Sequence, residues 1–376
     1  MLPLTVAGTN LILVLILTLW LLTANFKEKF KFIFSNKVCI ASILFFFVHL
    51  VSLLWTEDLE WGLVIIKKML DFAITLPILF TIVKKDQIEG YIDFFLLAIL
   101  ISVLISLGMF MDYIPLFKNA NEVFFTPFMS HVSFNVYLAF AFYLASFQLL
   151  FRRKDTTKRI YYFFLVVLIS IDMFVTPGRA GQLGYFFLLF LIVIQYFGLS
   201  LRSFIYALSA IFIIVTFAYS NSAIFNSRAK LAYDEIVKFS PDIENSVGFR
   251  INSLINSFEI FNENPVIGVG VGDFPKEYNL INQKNSPNYP NSSNPHNMYL
   301  LILVQLGLFG LISMLYIFYT QIMNSIKSNE TFRNIGIALS LFYLLIMFGE
   351  SYLLGHYTTI LFVFFSSFIY NNFKEP

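Results

Sequence analysis

Long apolar runs separated by short polar clusters dominate the chain from end to end. A helix needs about 20 apolar residues to cross the ~30 Å hydrocarbon core of a bilayer. Runs of that kind lie near 4–25, 38–55, 62–82, 91–111, 132–151, 159–175, 181–200, 203–219, 298–322, 334–349 and 352–370. Backbone groups in lipid must bond within their own segment, so each run reads as a helix. The pattern predicts an all-α integral membrane protein, a polytopic bundle of about 11–12 transmembrane helices, forming a single polytopic domain over residues 1–376. One connection, 220–297, is long and polar, and loops of that length are seldom passive. Within it Ile251, Leu254, Ile255, Phe258 and Phe261 recur at helical spacing, with Asn256 and Glu259 opposite. That stripe predicts a helix lying on the membrane surface or packed on the bundle.

Composition agrees with this reading. Apolar residues make up 58% of the 376 and charged residues only 13%, against about 25% charged in a soluble domain. The net charge of +2 gives no reason to expect a nucleic-acid partner, and membrane lipids are the implied surroundings. Cys39 is the only cysteine, which rules out an internal disulfide and leaves no cysteine metal site to expect. The first apolar run has neither a charged n-region nor a cleavage box, so it reads as a retained helix.

Loop charge orients the spans. Segment 26–37 carries Lys27, Lys29, Lys31 and Lys37; segment 152–159 carries Arg152, Arg153, Lys154, Lys158 and Arg159. Both fall on one side, which the positive-inside rule makes cytoplasmic. The loop at 56–60 holds Glu57, Asp58 and Glu60 without a base. The 220–297 connection then becomes a large extracytoplasmic loop. His131, Arg179, Arg250, His296 and Glu350 are all expected at that same face, where gathered basic and imidazole groups suit an anionic, lipid-linked substrate.

Three stretches carry the chemistry. In Asn294-Pro295-His296-Asn297-Met298-Tyr299-Leu300 the loop enters a span. Asn294 is expected as N-cap and Pro295 in the first helical position, with His296 in the first turn. An imidazole there can accept a proton, while free backbone N–H groups hold an anion. In Thr176-Pro177-Gly178-Arg179-Ala180-Gly181-Gln182 a tight turn carries one charge. Asp172 shares a face with Thr176 and Arg179 if the preceding helix runs on that far. The guanidinium of Arg179 is a planar donor fork for phosphate oxygens. Arg250 opens the amphipathic stretch, and Asn264-Pro265-Val266-Ile267-Gly268-Val269-Gly270-Val271-Gly272 follows it. The glycine run lacks the strand-to-helix context of a nucleotide loop and reads as a close-approach turn. His131 and Asn135 lie four residues apart at the start of a span and can share a helix face. No Asp/Glu/His cluster has metal-ligand spacing.

Pro-His-Asn-x-Tyr-Leu at 295–300, Gly-Arg-Ala-Gly at 178–181, and Arg250 followed by Asn-Pro-x-x-Gly-x-Gly at 264–270 resemble, in that order, the signature of the O-antigen ligase and polymerase family. The resemblance covers roughly 120–350. Two departures are a count of eleven spans rather than about twelve, and Leu254 and Ile255 where a tryptophan is expected. The resemblance implies a membrane-embedded, metal-independent glycosyltransferase without cofactor, in a bacterial cytoplasmic membrane. Its donor would be a glycan on undecaprenyl diphosphate, and its acceptor a lipid A-core or other glycan hydroxyl at the extracytoplasmic face. It implies His296, Arg179 and Arg250 as catalytic residues, with His296 either handling the acceptor proton or binding phosphate. Asn297, His131, Asn135, Gly270 and Glu350 would line the substrate site. A repeat-unit polymerase is the alternative within the family. A polysaccharide flippase is the alternative of another class, but transporters place polar sites on broken helices at mid-membrane, whereas here the span centres are nearly clean.

Overall fold

The computed structural model describes residues 4–152, 155–237 and 246–371, and among these every regular element is helical. The protein is an all-α polytopic membrane protein. Arg153 and Lys154, two of the five bases in the 152–159 segment, lie outside the described residues.

Every expected span meets a helix, but the count of eleven is not matched. Among the described residues five helices are long and apolar enough to cross a membrane: Lys85–Phe110, His131–Arg152, Arg179–Phe197, Leu201–Asn221 and Met298–Lys327. A sixth appears if Val6–Leu22 and Phe26–Ser35, bent by 118°, count as one. The others fall short for physical reasons. Lys37–Ser52, Glu330–Ile346 and His356–Ile369 have 16, 17 and 14 residues, fewer than the roughly 20 a straight span needs. Thr156–Val175 carries Lys158, Arg159 and Asp172. The run expected at 62–82 carries Lys67, Lys68 and Asp71, and a π-helical turn at Asp71–Thr75 interrupts it.

The chain divides into two compact units, 1–12 with 84–231, and 13–83 with 232–376. In the first, the His131–Phe147 helix is the centre. Every residue from Phe134 to Phe147 is buried, as a helix apolar on all sides requires. It packs most extensively on Arg179–Phe197. The approach is close enough that a Cβ on Gly181 would overlap the side chain and backbone of Asn135. Tyr143 donates to Gln195 Oε1 at 2.9 Å across the same interface.

In the second unit Met298–Lys327 is the central element, packed on Lys37–Ser52 and Glu330–Ile346. Its inner part holds a closed polar network: Gln321 Nε2 donates to Ser366 Oγ at 3.1 Å, Ser340 Oγ to Gln321 Oε1 at 3.0 Å, and Tyr370 OH to Gly336 O at 2.7 Å. The side chains of this network thus satisfy one another, as buried polar groups require.

This helix is broken at Gly307, where φ is 60° and ψ is −156°. The glycine-rich stretch fills the break. Val269 N donates to Val304 O at 2.9 Å and Gly270 N to Gln305 O at 3.0 Å; Leu308 N and Phe309 N donate to Pro265 O and Val266 O at 2.9 and 3.3 Å. Two carbonyls and two amides at the break are thereby bonded to the loop backbone. The spans are therefore not all intact, as the sequence had implied.

Candidate functional site

The first unit builds the surroundings of Arg179. The helix Thr156–Val175 ends at Thr176, whose φ of −99° and ψ of 122° are extended. Pro177 forces this, because the residue before a proline is driven out of the α region. Asp172 and Arg179 therefore do not share one helix, contrary to the expected continuation. Arg179 instead opens the next helix, in its first turn. Asp172 is fully buried and accepts from Ser106 Oγ at 2.7 Å. Asn135 pins the turn: its Nδ2 donates to Thr176 O at 3.0 Å and Gly178 O at 3.4 Å. Its neighbour one turn earlier, His131, stacks on Phe124 with ring centroids 3.9 Å apart. Asn135 thus acts on the arginine turn as a brace. An Asn135→Leu variant leaves those two carbonyls without their donor, an expected cost of about 1–3 kcal/mol. A lowered melting temperature for the purified protein would register it; an unchanged one would show that the turn does not need the bond.

Beside this turn the same unit holds an apolar cavity of about 640 Å³. Phe174 and Val175, just before the turn, line it together with Ile213, Phe217 and Tyr185. Nothing in the hydropathy pattern announced it, because lining and lipid-facing residues have the same composition.

The second unit places His296. The helix begins at Met298, and its N-cap is Asn297, whose Oδ1 accepts from Tyr299 N and Leu300 N at 3.0 and 3.1 Å. This corrects the expected Asn294 cap and Pro295 start. Asn294 has other partners: Nδ2 donates to Glu350 Oε1 at 2.8 Å, and Oδ1 accepts from Ser351 Oγ at 2.8 Å and from His296 N at 3.0 Å. His296 stands outside the helix with φ of 52°, a left-handed conformation uncommon for a side-chain-bearing residue. Its Nδ1 lies 2.6 Å from Glu350 Oε2. An ionised carboxylate only accepts, so Nδ1 carries the hydrogen, and in the neutral ring Nε2 keeps the lone pair.

Burial raises the pKa of Glu350, but the bonds from His296, Ser351 N–H and Asn294, with the charge of His296 when protonated, outweigh it and hold the carboxyl below its ordinary value. A carboxyl depressed on folding contributes stability that is present above its unfolded value and lost as pH falls through the folded one. The stability advantage of wild type over Glu350→Gln is therefore expected to hold above pH 4.5, the ordinary value, and to fade as pH drops below it. Melting temperatures of the two proteins across that window check this, and an advantage independent of pH would contradict it.

Arg250 is exposed on the Ser246–Glu263 helix. Its neighbour Phe249 meets the His296 ring edge-on at 5.6 Å, and the charges of Arg250 and Glu350 both act on Tyr352. Of the residues expected together, the second unit thus groups His296, Asn297, Glu350 and Arg250. Gly270 is engaged elsewhere, in the helix break at Gly307.

Residue type and spacing did not single out three members of this unit. Tyr352 is buried, and among the described residues its hydroxyl has no hydrogen-bond partner. Gln305 clamps the glycine loop through Nε2 to Val271 O at 2.6 Å. Asp273 accepts from the backbone N–H of Glu57 and Asp58 at 3.0 and 2.8 Å. A tyrosine, a glutamine and an aspartate without a recognisable neighbour pattern carry no signal that would have found them.

Residues 164–315 match the family model described as O-antigen ligase. No curated protein matches the chain. The matched segment contains Arg179, Arg250 and His296 as well as the glycine loop and the broken helix. Through that segment the chain is similar to the O-antigen ligase/polymerase family, in agreement with the motifs at 178–181, 264–270 and 295–300.

Proposed function

We propose that the protein transfers a finished glycan from undecaprenyl diphosphate to an acceptor hydroxyl, on a lipid A-core or another surface glycan, at the extracytoplasmic face of a bacterial cytoplasmic membrane. The observation that carries this reading is the O-antigen ligase match over the segment holding both arginines and His296.

The acceptor oxygen attacks the anomeric carbon, and the bond from that carbon to the diphosphate oxygen breaks. The lipid diphosphate leaves with the bonding pair. Arg179 and Arg250 offset the negative charge that grows on it, a form of stabilisation that is often the largest catalytic contribution. The acceptor hydroxyl must lose its proton. His296 has Nδ1 held by Glu350 and Nε2 available, the division of labour that a carboxylate imposes on an imidazole base. His131, Asn135, Asn297, Gly270 and Glu350 act around these groups. Asn135 does so by bracing the Arg179 turn, and Gly270 by seating the loop that follows Arg250. The apolar cavity beside the Arg179 turn supports a substrate with a long hydrocarbon chain, which such a lining desolvates.

The test is transfer by purified protein reconstituted with an undecaprenyl-diphosphate glycan, in chelator, with a lipid-core acceptor and a second lipid-linked glycan offered in parallel. Labelled glycan on the lipid core supports the ligase. Elongated lipid-linked chains alone would make the protein a polymerase. Absence of any product with native donor and folded protein would overturn the reading.

A further inference from the structure

The Ser246–Glu263 helix is inside out for a water-facing element. Its stripe of apolar residues was expected to pack on the bundle or rest on the membrane. The buried face is the polar one, with Asn252, Ser253, Asn256 and Ser257 inside beside Ile260. Two of these meet the Phe274–Asn285 helix: Ser253 Oγ pairs with Tyr278 OH at 3.1 Å, and Asn256 Nδ2 donates to Asn282 Oδ1 at 3.4 Å. Ile255 is 52% exposed, and Phe258 is exposed beside it. A helix in water shows the opposite arrangement. Apolar outside with polar contacts inside is the arrangement of a helix solvated by lipid.

The turn that follows continues the same surface. Val266 is 53% exposed and Ile267 is exposed with it. The carbonyls of Pro265 and Val266 accept from the amides of Leu308 and Phe309, so the turn lies directly against the membrane-crossing helix. Leu308 and Phe309 are themselves exposed there, Phe309 by 59%. Leu308 to Lys327 provides 20 residues beyond the break, about 30 Å of helix, one hydrocarbon thickness. The break thus falls at one boundary of the acyl-chain region, and the turn beside it has the carbonyls of Pro265 and Val266 paired, as lipid demands.

We infer that the exposed apolar patch of Ile255, Phe258, Val266 and Ile267 on the long polar connection is solvated by lipid acyl chains at the level of Phe309, with the exposed Asn262, Glu263 and Asn264 between them among the headgroups. The occupant of this face is lipid, because the face is continuous with the exposed side of a membrane-crossing helix. The inference needs only that the protein spans a membrane, so its failure leaves the transfer reading untouched.

The full-length protein offers a clean background, since its one cysteine, Cys39, is buried. Single variants Ile255→Cys, Val266→Cys, Phe309→Cys and Gln283→Cys, labelled with an environment-sensitive fluorophore, go into vesicles whose lipids carry nitroxide on the acyl chain. Quenching at Ile255 and Val266 is expected to equal that at Phe309 and to exceed that at exposed Gln283 several-fold. Quenching as weak as at Gln283 would overturn the inference. Protection from a water-soluble thiol reagent without quenching would also overturn it, by showing that protein covers the face. Two reporter positions guard against one variant failing to fold.

Discussion

Replacing His296 by alanine is expected to lower the rate of glycan transfer by about 10²–10⁴-fold, the usual contribution of a positioned acid–base group. The expectation rests on where the ring is held. His296 stands in a left-handed turn outside the helix, fixed by Asn294 through its backbone N–H and by Glu350 through Nδ1. Both holds leave Nε2 unused. The loss should appear in kcat with the donor KM little changed, because the imidazole acts on the acceptor proton as the transition state forms. If His296 bound the diphosphate instead, donor KM would rise. Glu350→Gln retains a side chain of similar shape but no longer enforces the tautomer. It is expected to reduce kcat as well, by less than His296→Ala does, because the base remains. Steady-state kinetics on both variants with a fixed acceptor separate these outcomes.

Gly307→Ala is expected to have the largest effect on stability. The combination of φ 60° and ψ −156° belongs to a region essentially confined to glycine, at a cost of about 1–3 kcal/mol for any other residue. Space is also lacking, since a Cβ would overlap the backbone carbonyl of Val266. The carbonyl cannot withdraw without giving up its bond from Phe309 N, and Pro265 O holds Leu308 N beside it. The sum is expected to be on the order of 3 kcal/mol, a large share of the stability of a typical domain. A pronounced drop in melting temperature in detergent, together with easier proteolysis in the 264–272 loop, is the expected result. A variant as stable and as protected as wild type would show that the loop is not seated in the break.

These two sites mark what could be read from the chain and what could not. His296 and the arginines stand out as candidates because charged and imidazole groups are costly near lipid and therefore informative. The helices were legible because apolar runs of spanning length have few other uses. Glu350 was visible as a residue at a span end, but its hold on His296 joins positions 54 apart in sequence, and no local pattern encodes that. Gly307 sits inside an apolar run that reads as unbroken helix; its φ follows from the loop that inserts there, a tertiary effect. The stripe from Ile251 to Phe261 had the right helical period, and the structure turns Leu254, Ile255 and Phe258 of it outward. Periodicity locates two faces, whereas the neighbours decide which is buried, and here the Phe274–Asn285 helix supplies hydrogen-bonding partners. Five helices, or six with the bent pair counted as one, reach spanning length among the described residues; short apolar helices such as His356–Ile369 are supported by packing, and hydropathy alone does not distinguish them from full spans.

The central claim is that Arg179, Arg250 and His296 together carry glycan transfer from a lipid diphosphate. It is tested most directly by single-turnover release of undecaprenyl diphosphate from a native glycan donor, with acceptor present. The comparison is wild type against the Arg179→Ala, Arg250→Ala, His296→Ala triple variant at matched folded protein. Stoichiometric release by wild type and none above background by the triple variant is the predicted result. Release by the triple variant at a wild-type rate would contradict the claim and send the chemistry to other residues.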